Sequence, residues 1–229
     1  MKENIQIHRH PEIKGSLLDS YLANGWYRYG SHIFTIDNFS ENDIKYPVYW
    51  IRYLTSAVKL GIKQEKIIKR CSGFQVMIRP FALTEELEQL HDLYFLNIEF
   101  TTSVTIKDLL EDIDNNIFDS YLIEIRDGEK LIAAGIFDGG KESIAGIKNF
   151  YHPDYKKYSL GKMLMLLKHR FCVRSGITYY YPGYIAPGNP RFDYKLFLCP
   201  EATELFDTTT QSWVGYQCFA EKNRLFKES

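Results

Sequence analysis

Ser120–Tyr151 of this chain reads SYLIEIRDGEKLIAAGIFDGGKESIAGIKNFY and decides its fold. The segment contains three runs rich in β-branched and aromatic residues, and these runs are separated by Asp127-Gly128 and Gly139-Gly140. Asp-Gly and Gly-Gly pairs between such runs are typical of tight β-hairpins. The sequence therefore predicts an antiparallel meander of three strands.

Helices are predicted on both sides of the meander. Upstream, apolar residues recur at helical spacing after Thr84 and again within Val104–Asn115. Downstream, the predicted elements are one helix and two strands, at Ser159–Arg174, Thr178–Ile185 and Tyr194–Leu198. This order resembles that of the GNAT-type acyltransferase fold. We therefore expect an α+β (α/β) fold with a mixed, mostly antiparallel central sheet flanked by helices.

The first third of the chain predicts a smaller α+β region. Its expected helices and strands are Gly15–Asn24 (helix), Trp26–Ile36 (strand), a strand within Tyr46–Leu60, Ile62–Arg70 (helix) and Phe74–Phe81 (strand). We accordingly divide the chain into an N-terminal α+β region, residues 1–82, and a GNAT-like transferase domain, residues 83–229.

Composition narrows the class of protein. The chain has 229 residues, of which 45% are hydrophobic and 25% charged, as in ordinary folded soluble proteins. The start, MKENIQIHRH, lacks an apolar signal core, and no apolar run is long enough to span a bilayer, so we expect a cytoplasmic protein without membrane contact. The four cysteines are widely spaced and form no C-x-x-C pair, which favours reduced thiols and no metal site.

Charge is segregated along the chain although the net charge is only −1. That net charge argues against strong nonspecific binding of nucleic acid, and no DNA partner is expected. Basic residues dominate Lys45–Pro80 and Tyr155–Arg174, whereas acids dominate Thr84–Asp119. Such blocks are usually solvated faces. If the two basic blocks converge in the fold, however, they would form a phosphate-binding surface.

Tyr179–Lys195, YYYPGYIAPGNPRFDYK, is rich in tyrosine, proline and glycine. Buried phenol hydroxyls need hydrogen-bond partners, so this composition suits the wall of a concave site. The alternative is a strand pair whose tyrosines extend to the surface. Both interpretations remain open from composition alone.

Two further positions could carry chemistry. Asp138 ends the second meander strand and is either a turn residue or a carboxylate that orients an amine or accepts its proton. Ser159 precedes a helix and is either its N-cap or part of an anion site at free backbone N–H groups. A lone His152 carries little weight, and we find no Ser or Cys nucleophile motif.

Several ordered motifs resemble the aminoacyl-tRNA–protein transferases, the arginyl and leucyl enzymes that extend protein N termini. These motifs are GIFD ending at Asp138, FYHPDY at Phe150–Tyr155, SLG at Ser159–Gly161, YYYPGY at Tyr179–Tyr184, and YK at Tyr194-Lys195. Weaker similarity extends upstream, through YLANGWYRYGSHIFT and QEKIIKRCSGFQV.

The resemblance implies transfer of Arg or Leu from aminoacyl-tRNA to the α-amino group of an acceptor protein, and we expect no cofactor. Its partners would be the charged 3′ end of tRNA and the acceptor N terminus. The implied catalytic residues are Asp138 and Tyr184. The implied substrate-binding and tRNA-binding residues are Tyr158, Ser159, Leu160, Gly161, Tyr181, Gly183, Tyr194 and Lys195.

The chain departs from this family at two places. Ile33–Arg52 lacks the cysteine cluster of the family's N-terminal half, and Gly188–Asp193 replaces a Cys-Pro-Lys-Met-like run. Two alternatives stay open. One is an acetyl-CoA-dependent N-acetyltransferase, against which the absence of a Gly-rich loop near Gly161 counts. The other is a noncatalytic member that binds charged tRNA or an N-terminal peptide.

Overall fold

A computed structural model describes residues 5–98, 105–110 and 116–223 of the chain. The strands are β1 (Gln6–His8), β2 (Tyr27–Tyr29), β3 (His32–Thr35), β4 (Asn38–Glu41), β5 (Ile44–Pro47), β6 (Tyr49–Leu54), β7 (Gln75–Pro80), β8 (Ser120–Asp127), β9 (Lys130–Gly139), β10 (Ser143–Tyr151), β11 (Tyr179–Ile185), β12 (Thr203–Asp207) and β13 (Ser212–Gly215). The α-helices are α1 (Gly15–Ala23), α2 (Ile62–Arg70), α3 (Glu85–Phe95), α4 (Ile106–Leu110), α5 (Leu160–Ser175) and α6 (Tyr216–Asn223).

A mixed eight-stranded sheet forms the centre, in the order β13-β12-β6-β11-β10-β9-β8-β7. Every neighbouring pair is antiparallel except β10 and β11, which are parallel. The expected α+β fold with a mixed, mostly antiparallel central sheet is therefore confirmed. Strands β6 and β7 precede residue 83, so the sheet includes parts of both regions into which the sequence was divided.

The predicted meander is present as β8, β9 and β10, and the helix after it is α5. Two other predictions were wrong. The single strand expected at Trp26–Ile36 is a hairpin, because Gly30 has a positive φ of 59° and turns the chain between β2 and β3. The strand expected at Tyr194–Leu198 lies largely in a 3-10 helix, Pro190–Leu196, where Asn189 accepts a capping hydrogen bond from the backbone of Arg191.

The sheet buries both of its faces, as the alternating apolar residues of β8 illustrate. Ile123 packs in the core that α2 and α5 complete, whereas Leu122 packs on the opposite face with α3 and α4. The helix predicted at Val104–Asn115 is described only as α4, and its remaining residues lie outside the described ranges. Within those ranges, no helix is both long enough and apolar enough to cross a bilayer.

The N-terminal elements are tied to the sheet by polar contacts. Asp19 on α1 accepts hydrogen bonds from the backbone N–H groups of Lys141 and Glu142, both at 3.0 Å. The Ser143 hydroxyl also donates to Asp19, at 2.5 Å. One carboxylate therefore fixes α1 against the turn between β9 and β10.

Candidate functional site

The site begins where the two parallel strands separate. Strands β10 and β11 pair only over Ser143–Ala145 and Tyr179–Tyr181, and a β-bulge follows in β10 between Gly146 and Lys148. Beyond the Ala145–Tyr181 pair, the backbones of β10 and β11 are no longer paired with each other. The separation leaves a fork in the middle of the sheet.

Tyr27 closes the apex of this fork from the N-terminal layer. Its hydroxyl lies 2.7 Å from the carbonyl oxygen of Gly146 on β10 and 2.7 Å from that of Tyr181 on β11. The ring is buried and stacks on Trp50, with centroids 5.1 Å apart. Burial raises the pKa of Tyr27 well above its ordinary value, so the hydroxyl remains a donor at neutral pH.

Beyond Tyr27, the fork widens into a first cavity of about 220 Å³. Aromatic rings and lysines form most of its wall. The lining residues are Tyr27, Arg28, Tyr29, Phe34, Trp50, Gly146, Ile147, Lys148, Asn149, Met165, Lys168, Tyr180, Pro182, Gly183, Tyr184, Tyr194 and Lys195. Such a wall suits a ligand that is partly apolar and partly anionic.

Three lysines of the first cavity have lowered pKa values because burial disfavours their charged forms. The pKa is about 8 for Lys148 and about 7 for Lys168 and Lys195. Lys195 Nζ donates to the carbonyl oxygen of Tyr184 at 2.8 Å, and it lies within 5 Å of the ring centroids of Tyr184 and Phe192. These rings attract a cation and oppose the effect of burial.

A second cavity of about 310 Å³ lies beside the start of α5. It is lined by Tyr94, Asn149, Tyr151, Lys156, Ser159, Gly161, Lys162, Arg191 and Tyr194. The first backbone N–H groups of α5 have no partner within the helix, and its N-terminal end is electropositive. Together with Lys156, Lys162 and Arg191, this helix end makes the second cavity a site for an anionic, ring-bearing ligand.

Asn149 and Tyr194 line both cavities and mark the junction between them. Lys168 Nζ donates to Asn149 Oδ1 at 2.9 Å, which brings a buried amine next to this junction. A ligand that extends from the second cavity into the first must pass these side chains. Two ligands bound in the two cavities would therefore meet at this junction.

The basic helix α2 ends near the second cavity. Lys63, Lys66 and Lys69 are exposed on this helix. Arg70, at the end of α2, donates to the carbonyl oxygen of Lys157 at 2.6 Å, next to Lys156 on the cavity wall. The two basic blocks of the sequence thus converge, as a phosphate-binding surface requires.

The structure brings many of the sequence-predicted site residues to the two cavities. The first cavity is lined by Gly183, Tyr184, Tyr194 and Lys195, and the second by Ser159, Gly161 and Tyr194. Ser159 occupies the N-cap position of α5, but its side chain makes no capping hydrogen bond, and its φ is +56°. Gly183 has a φ of +107°, a conformation in which a side chain would strain the cavity wall.

Four predicted residues lie elsewhere. Asp138 is fully buried, and it pairs with Arg28 and accepts from Ser120 instead of lining a cavity. Burial raises the pKa of Asp138, and the Arg28 guanidinium opposes that shift. The other three residues make structural contacts. Leu160 packs in the core, and the ring of Tyr158 packs against that of Phe74. The Tyr181 hydroxyl accepts a hydrogen bond from Arg52.

Several cavity residues were not singled out from the sequence, namely Tyr27, Lys148, Asn149 and Lys168. A signal existed for Lys168, because it follows Leu164 and precedes Cys172 by four residues and so lies on the apolar face of α5. Tyr27 and Asn149 gave no comparable local signal. Among the described residues, no group of His, Cys, Asp and Glu side chains is arranged to hold a metal ion.

Comparison with known proteins agrees with the resemblance seen in the motifs. Residues 83–203, more than half of the chain, match the family model described as arginine-tRNA-protein transferase, C terminus. An aspartate/glutamate leucyltransferase of Leptospira interrogans is 23% identical over 218 residues, which cover 92% of this chain and 83% of that protein. The arginyl-tRNA–protein transferase 1 of Saccharomyces cerevisiae is 36% identical over 66 residues, which cover 29% of this chain and 13% of the yeast protein.

A solved structure supports the architecture as well. The crystal structure of FemX superposes with a TM-score of 0.50 at 8% sequence identity, and the match covers 90% of this chain and 70% of FemX. At that identity the likeness concerns the fold alone.

Proposed function

The chain belongs to the arginine-tRNA–protein transferase family, and on that premise we propose that it moves leucine from leucyl-tRNA to proteins whose first residue is Asp or Glu. Family membership makes the protein an aminoacyltransferase whose partners are an aminoacyl-tRNA and an acceptor protein. The choice of leucine and of acidic acceptors follows the names of its bacterial relatives, such as the Leptospira enzyme. Because both substrates are cytoplasmic, we also propose a cytoplasmic location.

The lack of a carboxylate among the described residues that line the first cavity carries this proposal. Lys148, Lys168 and Lys195 face it, and among the described residues that line it none carries a carboxylate. An arginyl side chain would therefore find no carboxylate there to pair with. An acidic side chain would meet lysines, and a leucyl side chain would meet aromatic rings. The cavity thus favours leucine over arginine as the transferred residue.

The second cavity suits the terminal nucleotide of the tRNA. Its helix N-terminus and basic side chains match phosphate oxygens, and the rings of Tyr94, Tyr151 and Tyr194 offer surfaces on which a base can stack. Stacking of a base on an aromatic ring contributes roughly 1–3 kcal/mol. The exposed lysines of α2 would then contact the phosphates of the acceptor stem.

The reaction depends more on the orientation of its two substrates than on chemical activation of either one. The aminoacyl ester is already activated, and the acceptor α-amino group has an ordinary pKa of about 8. Seating the ester at Asn149 and Tyr194, with the amine arriving through the first cavity, would place both reactants at the junction. Alignment of this kind can lower a barrier by several kcal/mol.

The acceptor's acidic side chain is best matched by Lys195. Its Nζ lies on the first cavity wall, held by the Tyr184 carbonyl and neighbouring rings, and would be protonated when a carboxylate binds beside it. A carboxylate there would gain a charge-assisted hydrogen bond, which is stronger than a neutral one. Tyr184 would thus act by holding Lys195 and by contacting the leucyl side chain.

The experiment that tests the proposal crosses a panel of donors with a panel of acceptors. Labelled leucyl-, arginyl-, phenylalanyl- and methionyl-tRNA are each incubated with peptides that differ only in a first residue of Asp, Glu, Lys or Ala. Acetyl-CoA serves as the control donor. We expect leucine to be incorporated into the Asp and Glu peptides.

Three other results would count against the proposal. Arginine incorporation would contradict the charge argument, and acetyl transfer would favour the N-acetyltransferase alternative. Binding of leucyl-tRNA without transfer to any peptide would favour a noncatalytic member of the family.

A further inference from the structure

Lys168 is buried on the wall of the first cavity and is not explained by substrate binding alone. It is 1% exposed and projects from α5 toward β9 and β10. A leucine or methionine, as found at neighbouring positions of α5, would have been enough to pack this position against the sheet. A buried amine at the junction of two substrate cavities therefore calls for a role in the reaction.

We propose that Lys168 accepts a proton from the α-ammonium group of the acceptor and so generates the attacking amine. The inference rests on the proposed function, since it assigns a base to the same transfer. It adds a catalytic group that neither the motifs nor the fold identified.

The hydrogen bonds of Lys168 determine where its lone pair can point. Nζ donates to the carbonyl oxygen of Ile136 at 2.8 Å and to Asn149 Oδ1 at 2.9 Å. A neutral amine has two N–H groups and one lone pair, and these two acceptors use both N–H groups. The lone pair is then directed away from both partners, and because Lys168 lines the first cavity, we place it on the cavity side.

The groups around Lys168 leave a large fraction of it neutral at pH 7. Burial lowers its pKa to about 7, whereas Asp138 on β9 and Cys172 on α5 act in the opposite direction. Asp138 is already paired with Arg28. The Tyr180 hydroxyl on β11 lies on the same side of Gly146 as Lys168 Nζ, and Lys148 lies on β10.

The proposed step balances as follows. One proton passes from the acceptor –NH₃⁺ to neutral Lys168, and the freed lone pair attacks the ester carbonyl carbon. The new C–N bond forms as the bond from carbon to the ribose 3′-oxygen breaks. A second proton passes from the attacking nitrogen to the leaving oxygen, which leaves an amide N–H. Lys168 returns its proton to solvent when the product departs.

Two substitutions separate this role from a structural one. Lys168→Arg keeps donor groups for Ile136 and Asn149 but stays protonated, because a guanidinium does not lose its proton in proteins. Lys168→Met keeps the approximate volume and removes the amine. Lys130→Met, at an exposed position at the start of β9, is the matched control. Circular dichroism and binding of leucyl-tRNA establish that each variant is folded.

The readout compares two acceptors in single-turnover transfer from leucyl-tRNA at pH 7. One is a peptide with an ordinary α-amino group, and the other carries an aminooxy group, which is already neutral at this pH. We expect both Lys168 variants to slow the amino peptide by about 10-fold, because about one in ten α-amino groups with a pKa of about 8 is already neutral at pH 7. The rate with the aminooxy peptide should stay near that of the wild type, and raising the pH to 9 should restore much of the lost rate with the amino peptide.

Other results would overturn the inference. Equal losses with both acceptors would show that Lys168 only supports the cavity, and undiminished rates would remove it from the reaction. If Lys168→Met does not fold, Lys168→Arg carries the test alone. Failure of the wild-type chain to transfer leucine to either peptide would instead contradict the proposed function.

Discussion

The Arg28 guanidinium and the Asp138 carboxylate form an ion pair inside the protein, with Nη1 3.0 Å from Oδ1. Their side chains are 2% and 0% exposed. Arg28 also donates to the backbone oxygens of Gly30 and Leu110, so most of its N–H groups are engaged. The pair joins β2 of the N-terminal layer to the end of β9. It therefore fixes the layer that delivers Tyr27 to the fork.

Asp138→Asn should destabilise the protein by about 3–5 kcal/mol, because it leaves the buried charge of Arg28 without a counterion. Urea unfolding followed by circular dichroism measures the change. The double variant Arg28→Met/Asp138→Leu removes both charges and should recover a large part of the loss. If Asp138→Asn is as stable as the wild type but inactive, Asp138 acts directly in transfer.

Tyr27→Phe should lower activity more than stability. The substitution keeps the ring stacked on Trp50 but removes the hydroxyl that contacts the Gly146 and Tyr181 carbonyl oxygens. Loss of a buried hydrogen bond costs about 1–3 kcal/mol of folding free energy. The fork is then free to shift, and we expect kcat/KM to fall further than this loss explains. An unchanged kcat/KM would mean that the apex does not need this bridge.

Local sequence patterns predicted the parts of the fold that local chemistry determines. The hairpin turns of the meander follow from the Asp-Gly and Gly-Gly pairs, and the bounds of α2 follow from helical spacing. Tyr194–Leu198 was mistaken for a strand because its apolar residues look extended, whereas Asn189 and Pro190 start a 3-10 helix that ends at Leu196. Short apolar runs do not distinguish these structures by periodicity.

The site was predictable only in part, for the same reason. Tyr184 and Lys195 stood in a conspicuous motif and do line the first cavity. Lys168 appeared in a basic block and looked solvated, because its burial depends on α5 packing over β9 and β10. Tyr27 lies far in the sequence from Gly146 and Tyr181, and only the folding of the chain brings its side chain to the fork. Contacts between segments that are distant in the sequence do not change the hydrophobic periodicity of either segment, so they cannot be predicted from it.

Charge reversal on α2 should weaken binding of tRNA. Lys63→Glu/Lys66→Glu changes two exposed lysines on this basic helix, which ends near the second cavity. If both contact phosphates, the affinity falls and its dependence on salt concentration becomes less steep. Filter binding of leucyl-tRNA across a salt series measures both. Lys141→Glu, in the exposed turn between β9 and β10, is the control, and an identical effect there would indicate only net charge.

Lys195 should take up a proton when an acidic acceptor binds. Burial lowers its pKa to about 7, so it is mostly neutral in the free protein at pH 8. A carboxylate beside Nζ favours the ammonium form and raises that pKa. Calorimetry of an Asp-initiated peptide in two buffers of different ionisation enthalpy should therefore show net proton uptake at pH 8, and Lys195→Met should abolish it.

The same lowered pKa makes a separate prediction for stability. An unfolded lysine has a pKa of about 10.4, so between pH 7 and pH 9 the unfolded chain binds more protons than the folded chain. The free energy of unfolding should therefore rise with pH across this range, and it should rise less steeply in Lys195→Met. Urea unfolding at pH 7, 8 and 9 provides the comparison. Equal slopes for the two proteins would mean that Lys195 stays charged in the folded protein. Cation–π attraction to the rings of Tyr184, Phe192 and Tyr194 would then outweigh the lowering of the pKa by burial.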